Sequence, residues 1–256
     1  MDEKEFYTRY YAATATSRAN PEYCQRLFGA DWAQHGFAEV CHLDHLVAVS
    51  GMRASSRVLD LGCGNGGIAE YFSLCTGAHI IGVDFIDEAI QQAQGRLPAS
   101  RGRLDFRVMD MARLDFPPAT FDIITAVDTL YFIKLEDVLP VLATLLKPGG
   151  RLVAFWSQGA DPGNPLETFD RTTLPPDRTE LAVALEKHGL RFQTWDYTHI
   201  DYAHALRKGQ IAECLRDGFD SEGNLFLYEN HRDEARGVAR AFEAGAHARY
   251  LYRVEV

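Results

Sequence analysis

The chain is sparing with cysteine and places none in a paired spacing. Its five cysteines, at 24, 41, 63, 75 and 214, are scattered, odd in number and never Cys-x-x-Cys. That argues against a disulfide frame and a cysteine-based zinc site, and points to reduced thiols in a cytoplasmic protein. No apolar run approaches the roughly 20 residues of a membrane span, so no membrane partner is expected. The opening Met-Asp-Glu-Lys-Glu does not read as a secretory signal. Positive charge is also in deficit, with a formal net charge of −10. A general polyanion binder needs the opposite sign, so nucleic acid is not expected as a partner. The one local basic stretch, arginines 96, 101, 103, 107 and 113, reads as a solvated face. Internal repeats and low-complexity linkers are missing too.

What is present is an ordinary globular composition over 256 residues, 46% hydrophobic and 24% charged. That suffices for one large domain with a sizeable core. From residue 57 to about 198, strand-like and helix-like segments alternate. Strands are expected at 57–61, 78–83, 104–109, 121–127, 151–156 and 190–197. Helices are expected at 66–75, 88–97 behind Asp87 as cap, 136–146 and 179–188. The helix at 136–146 stops at Lys147-Pro148-Gly149-Gly150. Near-continuous apolar strands joined by helices predict a parallel sheet covered on both faces, with ligands at the C-terminal strand edges.

Two regions fall outside this rhythm. Residues 1–50 read as a helical cap, with a helix start at Asn20-Pro21-Glu22 and Asp31 capping the next helix. Residues 199–246 read as a second helical cap. The segment 247–256 is strand-like and is expected to return to the sheet. A single domain results: cap 1–50, core 51–198, cap insertion 199–246, final strand 247–256. Six of the nine histidines lie in the caps and a seventh, His247, opens the final strand; the caps also hold a group of aromatics that includes Tyr7, Tyr10 and Tyr11.

The most informative segment is 58–67, Val-Leu-Asp-Leu-Gly-Cys-Gly-Asn-Gly-Gly. It joins a strand to a helix through a turn tight enough to bring a ligand to backbone amides at a helix N-terminus. Gly62-x-Gly64-x-x-Gly67 with Asp84 matches the dinucleotide fingerprint of NAD-dependent oxidoreductases. Asp60, Gly62, Gly64 and Gly66 match a competing Asp-x-Gly-x-Gly-x-Gly pattern. An acid ahead of the glycines suits a ligand carrying ammonium and sulfonium and would repel a pyrophosphate. Asp60, Asp84 and Asp110 fall at or just after three successive strand ends.

These motifs resemble those of class I S-adenosylmethionine-dependent methyltransferases, over about residues 55–157. Val58–Gly67 resembles the family's first motif. Ile80–Phe85 resembles its second strand, ending in the acid that holds the ribose hydroxyls. Phe106–Met111 resembles the third strand with its adenine-contacting pair, Asp110 and Met111. Phe121–Asp128 resembles the fourth strand, and Leu145–Leu152 the turn into the fifth. The fold so implied is Rossmann-like α/β: a doubly wound, mostly parallel seven-stranded sheet with its last strand antiparallel. The implied cofactor is S-adenosylmethionine, held by Asp60, Gly62, Gly64, Gly66, Asp84, Phe85, Asp110, Met111 and Asp128.

With its flanks the chain resembles the small-molecule branch, which includes quinone-biosynthesis, sarcosine/dimethylglycine and phosphoethanolamine methyltransferases. Asp128-Thr129-Leu130-Tyr131-Phe132 lacks the two prolines of the base-methylating motif, which disfavours a nucleic-acid acceptor. Tyr7-x-x-Tyr10-Tyr11 resembles an aromatic entry segment that covers the cofactor. His35, Asp128 and Tyr11 are the candidate catalytic residues, His35 as base. Tyr7, Tyr11, Tyr131 and Trp156 are the candidates for the substrate pocket. No metal site is expected, because His42 and His45 have no third ligand in view. An amine nitrogen acceptor is favoured. Oxygen or carbon acceptors of a phenol or quinol type remain open, as do an NAD-dependent oxidoreductase and a non-catalytic S-adenosylmethionine-binding module. The oligomeric state is left open, a homodimer being compatible.

Overall fold

A computed structural model describes residues 2–256 except 101, 162 and 163. Arg101 of the basic stretch therefore lies outside the described residues. Strands β1 (Arg57–Leu61), β2 (His79–Asp84), β3 (Leu104–Val108), β4 (Phe121–Val127), β5 (Leu146–Gly159), β6 (Arg191–Asp196) and β7 (His247–Glu255) form one sheet. Its order is β3-β2-β1-β4-β5-β7-β6. The β1–β5 pairings are parallel, and β7 inserts antiparallel between β5 and β6. The doubly wound sheet expected from the sequence is thus present.

Alternation along each strand splits the core in two. Val58, Ile80, Ile123, Val153, Phe155 and Leu251 face one side. There they meet helices α2 (Ala19–Phe28), α3 (Val40–Ser50), α4 (Gly67–Thr76) and α5 (Asp87–Gln94). Leu59, Leu61, Ile81, Val83, Ile124, Ala154 and Trp156 face the other side. There they meet α6 (Leu135–Leu145) and α7 (Glu180–Lys187). The strand order reverses between β1 and β4, and the cleft that opens there is where such a sheet binds ligands.

The two caps close over these strand ends. The first begins with α1 (Glu3–Thr16). The second consists of α8 (Thr198–Cys214), α9 (Arg216–Ser221) and α10 (Leu225–Glu243). They are tied together by buried polar contacts. His231 on α10 stacks on Tyr23 of α2 at 3.9 Å, and its Nε2 lies 3.0 Å from Asn20 Oδ1. His45 Nδ1 pairs with Tyr197 Oη at 2.5 Å, and His204 Nδ1 lies 3.3 Å from Glu39.

Several local readings are corrected. Asp31 does not cap α3; its carboxylate takes the Ala33 amide, and Glu39 with His42 forms the capping box instead. Asp87 is the first residue of α5 rather than its cap. Lys147-Pro148-Gly149-Gly150 does follow the end of α6, but it belongs to β5, with Gly149 at φ +76°.

Candidate active site

The turn after β1 is shaped by what presses on it. Gly62 (φ +62°) lies beneath Thr129, and a Cβ there would come within 2.5 Å of Thr129 Cγ2. Thr129 in turn donates from Oγ1 to Leu61 O at 3.0 Å, clamping the β4 end onto the turn. Gly64 (φ +53°) is roofed by Tyr11, whose Oη would collide with any Cβ placed there. Both positions therefore demand glycine, by backbone angle and by space. The Gly64 amide is not bare as the sequence suggests: it donates to Asp84 Oδ2 at 2.9 Å. Asp84 Oδ1 accepts from Ile86 N at 2.9 Å. Burial raises the Asp84 pKa against these two amides.

A cleft follows, bordered by Tyr7, Tyr11, His35, Gly62, Gly64, Asp84, Phe85, Met111, Asp128 and Phe132. Three expected cofactor residues do not border it. Asp60 is buried behind the turn, and its Oδ1 accepts from Thr125 Oγ1 at 2.7 Å. Burial pushes its pKa up to about 7, against the Thr125 hydrogen bond. Asp110 is exposed and accepts from the Ala112 amide at 2.8 Å, capping a short 3-10 turn at 111–113. Gly66 is the N-cap of α4 and packs against Phe106.

Beyond this cleft lies a second cavity of about 340 Å³. Tyr7, His35, Asp128 and Phe132 border both. His35 is held edge-on by Phe6, Tyr7 and Tyr10, with Nδ1 3.5 Å from Tyr7 Oη and Nε2 3.6 Å from Glu234 Oε2. Burial lowers its pKa, with Glu234 pulling in the opposite sense. Burial works to raise the Glu234 pKa, but Lys208 and, when protonated, His35 hold it at about 2. Lys208, itself fully buried, donates to Glu234 and to Gly36 O at 3.2 Å.

Asp128 sits just past β4 at φ +57°, a strained conformation for a non-glycine residue. Its Oδ2 accepts from Arg249 at 2.9 Å and from the Phe37 amide at 3.3 Å. Among the described residues its buried Oδ1 has no hydrogen-bond partner. Arg249 also meets Asp201 at 3.3 Å, and Asp201 meets His247 Nε2 at 2.6 Å. Burial would lower the Arg249 pKa, but Asp128 and Asp201 raise it. Burial likewise opposes the Asp201 charge, and Arg249 and His247 outweigh it.

Of the expected pocket residues, Tyr7 and Tyr11 border the cleft, while Tyr131 borders the second cavity but not the cleft. Tyr131 accepts from the Ser157 amide at 2.6 Å and lies against Trp156. Trp156 borders neither. Alternation along β5 turns it to the α6–α7 side, where Nε1 donates to Gln158 at 3.1 Å. Sequence reasoning missed Arg249, Asp201, Glu234 and Lys208, which no motif marks. The one available signal was weak: Arg249 is a charged residue in the interior of a strand, as is Arg253. Glu39, Cys41 and His42 also converge within 4.8 Å. There Glu39 is already bound by His204 and Arg207, and His42 Nδ1 by the Glu39 amide.

This fold and turn have known counterparts. Residues 58–150 match the family described as Methyltransferase domain. The chain is 28% identical over 224 residues to phosphoethanolamine N-methyltransferase 1 of Zea mays, covering 86% of this chain and 43% of that one. It is 32% identical over 139 residues to a ubiquinone/menaquinone biosynthesis C-methyltransferase of Ectopseudomonas mendocina, covering 50% and 54%. The fold is shared with Haemonchus contortus phosphoethanolamine N-methyltransferase 2 (TM-score 0.73, 17% identity, 97% and 60% covered). It is also shared with the cyclopropane synthase MmaA2 of Mycobacterium tuberculosis (TM-score 0.76, 13% identity, both chains fully covered). The chain thus carries, over residues 58–150, a match to a methyltransferase domain whose family uses S-adenosylmethionine. It spans less than half the length of several of the curated relatives it matches.

The residues present fit that cofactor. Gly62 and Gly64 form a cradle that a Cβ would fill, and Asp84 stands beside it at the end of β2. Phe85, Ile68 and Met111 supply apolar walls for a ring system.

Proposed function

We propose that this protein methylates the amine nitrogen of a small molecule. The carrying observation is the pair of adjoining cavities that share Tyr7, His35, Asp128 and Phe132. One has the glycine cradle and Asp84; the other has aromatic rings beside carboxylates, the chemistry that holds an ammonium group. Asp84, Gly62, Gly64, Phe85 and Met111 are the residues that hold the cofactor. When bound, S-adenosylmethionine supplies a methyl group to the acceptor nitrogen as the carbon–sulfur bond breaks, its electron pair staying on sulfur.

The protein's own part is alignment, exclusion of water and handling of one proton. Tyr7, Tyr11 and Phe132 close the junction of the cavities. Asp128 Oδ1, with no protein partner among the described residues, accepts a hydrogen bond from the acceptor nitrogen. An ammonium has no lone pair until it loses a proton. His35 takes that proton, because burial keeps it neutral and Glu234 at 3.6 Å stabilises the imidazolium that forms.

Incubation with methyl-labelled S-adenosylmethionine and a panel of amines, phenols and quinols tests this reading. Label recovered on nitrogen supports it. Label on the oxygen or carbon of a phenol or quinol, with no amine labelled, overturns it.

A further inference from the structure

We propose that the acceptor is a cationic amine carrying no phosphate or other strong anion, and that the second cavity rejects anionic amines. This rests on the amine reading above and names the substrate class within it.

Four carboxylates, those of Asp128, Asp161, Asp201 and Glu234, border this cavity, against one guanidinium, that of Arg249. Arg249 is not an anion clamp. Its two terminal nitrogens are engaged by Asp128 at 2.9 Å and Asp201 at 3.3 Å, and its guanidinium lies 5.0 Å from the Phe155 ring. Nε is buried without a hydrogen-bond partner, and Nη1 meets Asp201 as an ion pair, Asp201 Oδ1 making no hydrogen bond among the described residues. Lys208, the other buried cation nearby, is engaged by Glu234 and the Gly36 carbonyl. His35 is held neutral by burial. A phosphate entering here would face carboxylates, and the bordering groups that can carry positive charge, Arg249 and His247, are each already paired with an acid. An ammonium meets Asp128 Oδ1 and the faces of Tyr7, Tyr131 and Phe132 instead.

The test has a binding arm and a turnover arm, both on the full chain. Choline and phosphocholine are a matched pair that cannot accept a further methyl group on nitrogen. Titration calorimetry of each against the protein with S-adenosylhomocysteine reads the cavity's charge preference without turnover. Choline is expected to bind at least tenfold more tightly. Phosphocholine binding as well or better, or neither binding at millimolar concentration, overturns the proposal. In the turnover arm, ethanolamine is expected to exceed phosphoethanolamine and β-alanine in kcat/KM by at least tenfold. Efficient N-methylation of the anionic amines overturns the charge preference alone. Methylation only of phenols or quinols overturns the amine reading, and this proposal with it. Glu234→Gln, which keeps the side chain's size and removes one charge, is expected to narrow the choline to phosphocholine ratio at least threefold. An unchanged ratio counts against the carboxylates as its source.

Discussion

Arg249 and Asp128 meet at 2.9 Å although 121 residues separate them. The contact joins the inserted antiparallel strand to the end of β4, and so the second cap to the cofactor cleft. It also leaves Oδ1 as the Asp128 oxygen with no hydrogen-bond partner among the described residues. Arg249 is 1% exposed, and its neighbours Asp128 and Asp201 are both acids.

Arg249→Met should therefore leave the Asp128 and Asp201 carboxylates without the cation they share. Removing one member of a buried ion cluster typically destabilises by about 3–5 kcal/mol. The companion substitution Asp201→Asn should restore part of that loss, because one of the stranded charges is gone. Urea denaturation of the single and double variants checks both statements. A single variant within 1 kcal/mol of the parent would show that the cluster is not a structural clamp.

Asp84 is the acid whose position in the cleft makes the simplest demand. Asp84→Ala should weaken S-adenosylhomocysteine binding by roughly 1–3 kcal/mol through lost charged hydrogen bonds. Asp84→Asn separates two contributions, because its amide oxygen still accepts from one of the Gly64 and Ile86 amides. Calorimetric titration of both reads the difference. Unchanged affinity in Asp84→Ala would remove this residue from the cofactor site.

The core of the fold was legible because its signals are local. Val58–Gly67 encodes strand, turn and helix within ten residues, and β2 and β4 are apolar runs whose class shows in composition alone. The cofactor acids were legible only in part. Asp84, Asp60 and Asp110 look equivalent in sequence, each at or just after a strand end. Thr125 and the Ala112 amide engage the latter two away from the cleft. The second cavity was scarcely legible. It is assembled from His35, Asp128, Asp201, Glu234 and Arg249, on separate parts of the chain, and no spacing rule joins them. Trp156 was misplaced by a single step of strand alternation, since its neighbour Phe155 is the residue that faces the caps.

The His35–Glu234 pair predicts a pH profile. A protonated His35 cannot accept a proton, so kcat/KM should fall as pH drops through its pKa. Burial places that pKa below 6.5. Glu234 acts to raise it, so Glu234→Gln should move the acid limb to lower pH while reducing the plateau, because the imidazolium loses its partner. Profiles of both proteins from pH 4.5 to 9 check this. An acid limb that stays in place would separate Glu234 from the proton transfer.

Asp60 predicts a pH dependence of a different kind, in stability rather than rate. Its folded-state pKa of about 7 lies above the ordinary 3.8, chiefly because burial disfavours the charge. A group raised in this way binds its proton more tightly in the native state than in the unfolded chain. Its contribution is therefore fully present below pH 3.8 and is lost as pH rises through about 7. Asp60→Asn cannot ionise, yet its amide oxygen can still accept from Thr125 Oγ1. The variant should gain on the parent as pH rises from 5 to 8, by about 1–3 kcal/mol for a fully buried group. Urea denaturation of both proteins without cofactor, at several pH values, reads that difference. A gap that stays constant across the range would mean that Asp60 is ionised throughout, and that the turn rests on a buried carboxylate after all.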